Sequence, residues 1–304
     1  MSDFLTKAHL EREPISPSFN DVNNPIGLDG IEFIEYTTAK PQALGQVLEM
    51  MGFRPIARHR SREVMLYRQG AINIVVNAHG KDAAAPDAAP RIAALALRVR
   101  DAREAFDSVV ALGAWAVATH PQVMELNIPA IHGVGGTRLY FVDRYKEFSI
   151  YDVDFLPIPG VDQHPPATMG MHFFGVVQYI GADRSNDWLT FYQTLFGAQA
   201  IPSEERFGIL PHGTLIRFPA LNVDNSFMMQ LIEPEVNVLD STECLHRVGL
   251  GVADVLPTVA ALRANGVEFV ETPAAHSEAR GALTKTYEHS VLFELVHSQT
   301  GATP

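Results

Sequence analysis

The residue that first invites chemistry is Glu294, in the segment Val291-Leu292-Phe293-Glu294-Leu295-Val296 near the C-terminus. Period-two alternation puts Leu292, Glu294 and Val296 on one face of a strand and Val291, Phe293 and Leu295 on the other, so both faces are apolar apart from the carboxylate. An ionised carboxylate on a strand covered on both sides is expensive to bury unless a cation or a donor compensates it. That requirement makes Glu294 a candidate metal ligand. His172 and His246, each near the start of an earlier strand, would complete a set of two imidazoles and one carboxylate. Such a facial triad leaves open positions on non-haem Fe(II). A lone strand histidine is more often a satisfied core or rim residue, so the metal reading depends on what places the three together.

What places them is a repeat. From Gly30 the chain cycles through a strand, an amphipathic helix and three short strands. The first unit has a strand at 31–37 and a helix at 41–51, opened by Pro41 and closed by Gly52. The second has a strand at 92–99 and a helix at 102–112 ended by Gly113, with 149–154 as a further strand of that sheet. The third has a strand at 171–180 and a helix at 186–195 ended by Gly197; the fourth has a strand at 245–252, a helix at 255–265 and a last strand at 291–296. Four βαβββ units predict an α+β fold in which pairs of units close two cup-shaped sheets, each around a cavity. His172 and His246 then take equivalent places on the first strands of units three and four, and Glu294 lies on the last strand of unit four. The expected organisation is an N-terminal arm over 1–24, a first cup over 25–156, a Pro-rich linker over 157–168 and a metal-binding second cup over 169–304. The first cup offers Glu32 on its opening strand but neither His nor carboxylate over 92–99, and reads as metal-free.

Composition narrows the partners. The chain has 304 residues, 47% hydrophobic and 19% charged, enough for two domains with their own cores. Thirty-five acidic against 23 basic residues give a formal charge of −12, which argues against nucleic acid or an anionic membrane. The single cysteine, Cys244, excludes an intrachain disulfide framework and a thiolate zinc cluster. No apolar run approaches the roughly 18 residues of a membrane span and no signal peptide is visible, so the cytoplasm is expected. Nucleophilic catalysis has little support, because the chain carries no Gly-x-Ser-x-Gly elbow and its Gly133-Val134-Gly135-Gly136 turn lacks the Lys-Ser/Thr of a phosphate loop. His289 and His297 read as solvated, and His212 as a turn residue.

The residues also resemble a known family, the 4-hydroxyphenylpyruvate dioxygenases of the vicinal-oxygen-chelate superfamily. The likeness is dense over 24–156, in Asn24-Pro25-Ile26-Gly27-Leu28, Leu66-Tyr67-Arg68-Gln69-Gly70, Glu125-Leu126-Asn127-Ile128-Pro129 and Ser149-Ile150-Tyr151-Asp152-Val153-Asp154-Phe155. In the second half it thins to Phe191-Tyr192, Ile216-Arg217-Phe218-Pro219, Met229-Gln230, Leu245-His246 and Leu292-Phe293-Glu294. The resemblance implies two vicinal-oxygen-chelate cups, with His172, His246 and Glu294 matching the family's iron ligands. It further implies Fe(II), with Mn, Co, Mg or Zn as substitutes, a small 2-keto acid or related bidentate carboxylate as substrate, O2 as co-substrate and a homo-oligomer. The chain departs from the family where Leu245 replaces a glutamine before the second histidine and where Lys285 replaces another before the metal glutamate. The ten residues after Glu294 also do not supply the family's C-terminal lid helix. Asn222, Gln230 and Lys285 are the expected substrate contacts, and an inward Lys285 would favour a ligand more polar than a hydroxyphenyl ring. Three other readings stand beside the dioxygenase: a non-oxidative lyase resembling 3-dehydroshikimate dehydratase, an extradiol dioxygenase, and a non-catalytic binding protein.

Overall fold

A computed structural model describes residues 23–78, 88–118, 126–202, 208–209, 213–234 and 242–298. The arm over 1–24 lies outside these residues apart from Asn23 and Asn24. In chain order the elements are β1 (Leu28–Thr37), α1 (Pro41–Met50), β2 (Arg54–His59), β3 (Val64–Gln69), β4 (Ile72–Asn77), β5 (Arg91–Val99), α2 (Ala102–Ala111), β6 (Ala130–His132), β7 (Arg138–Val142), α3 (Ile150–Asp154) and β8 (Phe155–Pro157). The second half continues with β9 (His172–Tyr179), α4 (Ser185–Phe196), β10 (Gln199–Ala200), β11 (Thr214–Phe218), β12 (Phe227–Ile232), β13 (Cys244–Val252), α5 (Val255–Ala264), β14 (Gly281–Leu283) and β15 (Phe293–His297).

The strands form two sheets, ordered β6-β7-β5-β1-β4-β3-β2-β8 and β10-β11-β12-β9-β13-β15-β14. In each, the first strands of two units pair antiparallel at the centre, β1 with β5 and β9 with β13, and each unit's last strand returns parallel beside its first. The expected repeat and pairing of units are therefore present. Helices cover the outer faces: Asp101 caps α2 by accepting from the Glu104 N–H at 2.8 Å, and α4 ends on Gly197 at φ 68°, where the chain passes so close to Asn23 that a Cβ would collide.

One element differs from expectation. Residues 149–154 form α3 and not a strand, because Ser149 and Asp152 make a reciprocal capping box that starts a helical turn. This short helix drops Ile150, Tyr151 and Phe155 into the first cup, where they join Phe33, Leu66, Val75 and Ala96 in a separate apolar cluster. The sheet itself extends through Pro157 by pairing β8 with β2, so the start of the expected linker belongs to the first cup. Across the two halves Leu221 N donates to Leu28 O at 2.8 Å, Asn222 N and Asn225 Nδ2 donate to Asp29 Oδ1, and Thr168 N donates to Gln69 Oε1. The main buried cluster draws on both halves without a break.

Candidate functional site

The sheet register places Glu294 at the centre of the second cup. It pairs with Gly249 on β13, which pairs with Gly175 on β9, which pairs with Met228 on β12. Two glycines beside the carboxylate leave room for a long side chain to lie across the sheet. That side chain is Arg247. Its Nε donates to Glu294 Oε2 at 2.9 Å and its Nη2 to Gln230 Oε1 at 3.3 Å, with the Arg247 side chain 2% exposed and that of Glu294 8%. Gly208 crosses the mouth at φ 73°, so close that a Cβ there would lie 2.5 Å from Glu294 Oε1. The cavity left beside the pair is about 20 Å³, room for roughly one water.

The expected metal set is not assembled. The residue that meets Glu294 is instead Arg247: Gly249 sits opposite Glu294, and Arg247, two positions back on β13, shares its face. His246 occupies a bulge between Leu245, which packs in the core opposite Gln178, and Arg247, opposite Val177. Its ring stacks on Tyr179 at 4.2 Å, and its Nδ1 is buried with no partner. Burial, then the neighbouring Arg247 charge, lowers its pKa to about 4. His172 lies at the other end of the strand pair, opposite Gly251, where its Nε2 is 3.1 Å from Ser298 Oγ; burial lowers its pKa as well. Among the described residues no group of three His, Cys, Asp or Glu side chains is placed to hold a metal ion. Fe(II) therefore does not fit this donor set: the one carboxylate in place is engaged by a guanidinium, which stays protonated, offers no lone pair and repels a divalent cation.

Of the expected substrate contacts, Gln230 lines the cup, 9% exposed, and accepts from Arg247. Asn222 lies on the surface between the halves, where its side chain accepts from Asp224 N at the start of a 3₁₀ turn. Lys285 is 59% exposed and pairs with Glu268 at the rim, so its charge does not enter the cup. The turn at His212 lies outside the described residues. Arg247 is the partner of Glu294 that sequence reasoning missed, although the signal was available: a buried carboxylate demands a cation, and an arginine stands directly after His246.

The first cup holds a matching device. Glu32, 3% exposed, accepts from Arg98 Nε at 2.6 Å and from Asn73 Nδ2, and Glu35 accepts from Asn77 Nδ2 at 2.7 Å and Arg138 Nη2 at 3.3 Å. Burial raises the Glu32 pKa against the lowering effect of Arg98. Here α3 divides the cup and leaves cavities of about 630 Å³ beside Glu32 and about 250 Å³ beside Glu35.

Residues 22–156 match the family model described as hydroxyphenylpyruvate dioxygenase, N-terminal. A 4-hydroxyphenylpyruvate dioxygenase from Pseudomonas sp. (strain P.J. 874) is 36% identical over 82% of this chain and 73% of its own length. This chain belongs to the 4-hydroxyphenylpyruvate dioxygenase family. A 3-dehydroshikimate dehydratase from Pseudomonas aeruginosa (strain ATCC 15692) is 30% identical over 88% of the chain but only 44% of that protein. A mutant of 4-hydroxymandelate synthase from Streptomyces coelicolor superposes with a TM-score of 0.69 at 18% identity, covering 92% of this chain and 95% of that one. The fold is the vicinal-oxygen-chelate fold of the family, whose named relatives here include dioxygenases and a dehydratase. No helix among the described residues is long and apolar enough to cross a membrane.

Proposed function

We propose that this member of the dioxygenase family works without iron, as a ligand-binding protein whose second cup is closed around an internal ion pair. The observation that carries this is the Arg247–Glu294 contact at 2.9 Å, buried on both sides, with Gln230 taking a further guanidinium N–H. A guanidinium supplies the positive charge that a metal would otherwise supply to Glu294. It supplies no open coordination position, so a chelating 2-keto acid and O2 have nowhere to meet. The nearly filled cavity supports the same reading.

The 36% identity to a named dioxygenase favours a second reading, Fe(II)-dependent oxidation of a 2-keto acid or related bidentate carboxylate. That reading requires Arg247 to give up Glu294 and the imidazoles of His172, now over Gly251, and His246, now stacked on Tyr179, to turn toward it. The dehydratase relative is matched over 44% of its own length, so the activity of that whole protein is not carried over to this chain.

An oxygen electrode separates the readings. Protein reconstituted anaerobically with Fe(II) and given 4-hydroxyphenylpyruvate or an aliphatic 2-keto acid is expected to consume no O2 beyond the Fe(II) blank. Substrate-dependent uptake that Glu294→Gln abolishes would establish the oxygenase reading in its place.

A further inference from the structure

The larger cavity of the first cup has the features of a binding site, and its case stands whether or not the second cup holds a metal. Its volume of about 630 Å³ lies within the range of small-molecule pockets. The electrostatics run against the rest of the molecule. In a chain of formal charge −12, this cavity is lined by Arg60, Arg68, Arg98 and Lys146 against Glu32, Glu147 and Asp152. Two of those carboxylates are already engaged: Glu32 by Arg98, and Asp152 by the N–H and hydroxyl of Ser149 at 2.7 and 2.9 Å.

The cations are also held in place and aimed. Arg68 donates to Asn73 Oδ1 at 2.6 Å and to Gln163 O at 3.0 Å, and its guanidinium lies 5.2 Å from the centre of the Tyr151 ring. Arg98 and Lys146 lie 5.5 and 5.7 Å from the centre of the Tyr145 ring. Tyr145 is itself fixed, donating to Asp29 Oδ2 at 3.2 Å. Positioned guanidinium groups beside aromatic rings suit a planar anion, which can pair with the cations at one end and stack at the other. Burial and the adjacent Glu32 push the Tyr151 phenol well up, so it stays protonated and neutral at the floor.

We propose that this cavity binds a small aromatic carboxylate, its carboxylate meeting Arg68, Arg98 and Lys146 and its ring enclosed by Tyr145, Tyr151 and Phe155. Titration calorimetry of the full chain with 4-hydroxybenzoate tests it, with 4-hydroxybenzyl alcohol as the uncharged counterpart and inorganic phosphate as an anion without a ring. The expected order is the carboxylate tightest and both controls at least tenfold weaker. Arg68→Met is expected to weaken binding tenfold or more. Because Arg68 also tethers the linker, Ala71→Trp serves as a second variant: Ala71 is an exposed turn residue at the cavity wall, and the indole is expected to block entry to the same degree. The variant Arg247→Met/Glu294→Met in the second cup is expected to leave binding within twofold. The proposal is overturned if 4-hydroxybenzoate does not bind up to millimolar concentration, if the alcohol or phosphate binds as tightly, or if neither first-cup variant weakens binding.

Discussion

The two cups answer the same problem, a carboxylate buried at the centre of a curved sheet, with the same group and different surroundings. In the first, Glu32 meets Arg98 beside an open cavity, and Arg98 retains 19% exposure. In the second, Glu294 meets Arg247 with 2% exposure, under the Gly208 crossing, beside space for about one water. A guanidinium next to space can also serve a ligand, whereas a guanidinium sealed against its partner serves the fold. Chemistry inferred from the carboxylate alone points to the second cup; the space around it points to the first.

The two cups differ most at Arg247, the more deeply buried of the two guanidinium groups. Removing it leaves Glu294 charged and uncompensated, and Arg247→Met is expected to cost about 3–5 kcal/mol of unfolding free energy. The double variant Arg247→Met/Glu294→Met should recover most of that loss, because two apolar side chains of similar volume replace a desolvated pair. Urea unfolding of the single and double variants measures both. A single variant with unchanged stability would show that Arg247 is not the counter-charge.

Arg98→Met in the first cup is expected to cost less, about 1–3 kcal/mol, since water in the cavity can solvate Glu32. The pH dependence carries the sharper information. Burial already raises the Glu32 pKa, so without Arg98 the carboxyl protonates more readily, and the destabilisation should shrink as pH falls and Glu32 becomes neutral. A loss independent of pH would assign it to packing and not to charge.

His246 gives the second cup an acid sensitivity of its own. Its folded pKa of about 4 lies below the unfolded value near 6.5, so the unfolded chain takes up the proton first. The resulting stabilisation is complete above about pH 6.5 and is lost as pH falls toward about 4. Discounted for the partial exposure of the ring, it amounts to about 1–2 kcal/mol. The stability difference between the native chain and His246→Asn should therefore change across that window. The smallest effect belongs to Lys285→Met: the side chain is 59% exposed and pairs with an equally exposed Glu268, so neither the unfolding midpoint nor ligand binding should move measurably.

The four-unit repeat and the central strands were legible because hydrophobic periodicity and glycine-ended helices are local signals. The buried carboxylate at 294 was legible for the same reason. Its partner was not: which of His246 and Arg247 meets Glu294 depends on the register of β13 against β15 and on the bulge at His246, and neither is a local signal. The resemblance drew attention to Leu245-His246, while the charge argument alone would have accepted Arg247. At 149–154 the apolar residues suited a strand, and the capping box decided for a helix. Arg98 and Arg138 carry no local mark that separates them from solvated arginines, because their partners Glu32 and Glu35 lie on another strand.

Anaerobic Fe(II) titration of the metal-stripped full chain tests whether a guanidinium occupies the place where iron would have to bind. No saturable site of about one equivalent per chain is expected, and no difference between the native protein and Glu294→Gln. Stoichiometric, tight Fe(II) binding that disappears in Glu294→Gln would contradict it.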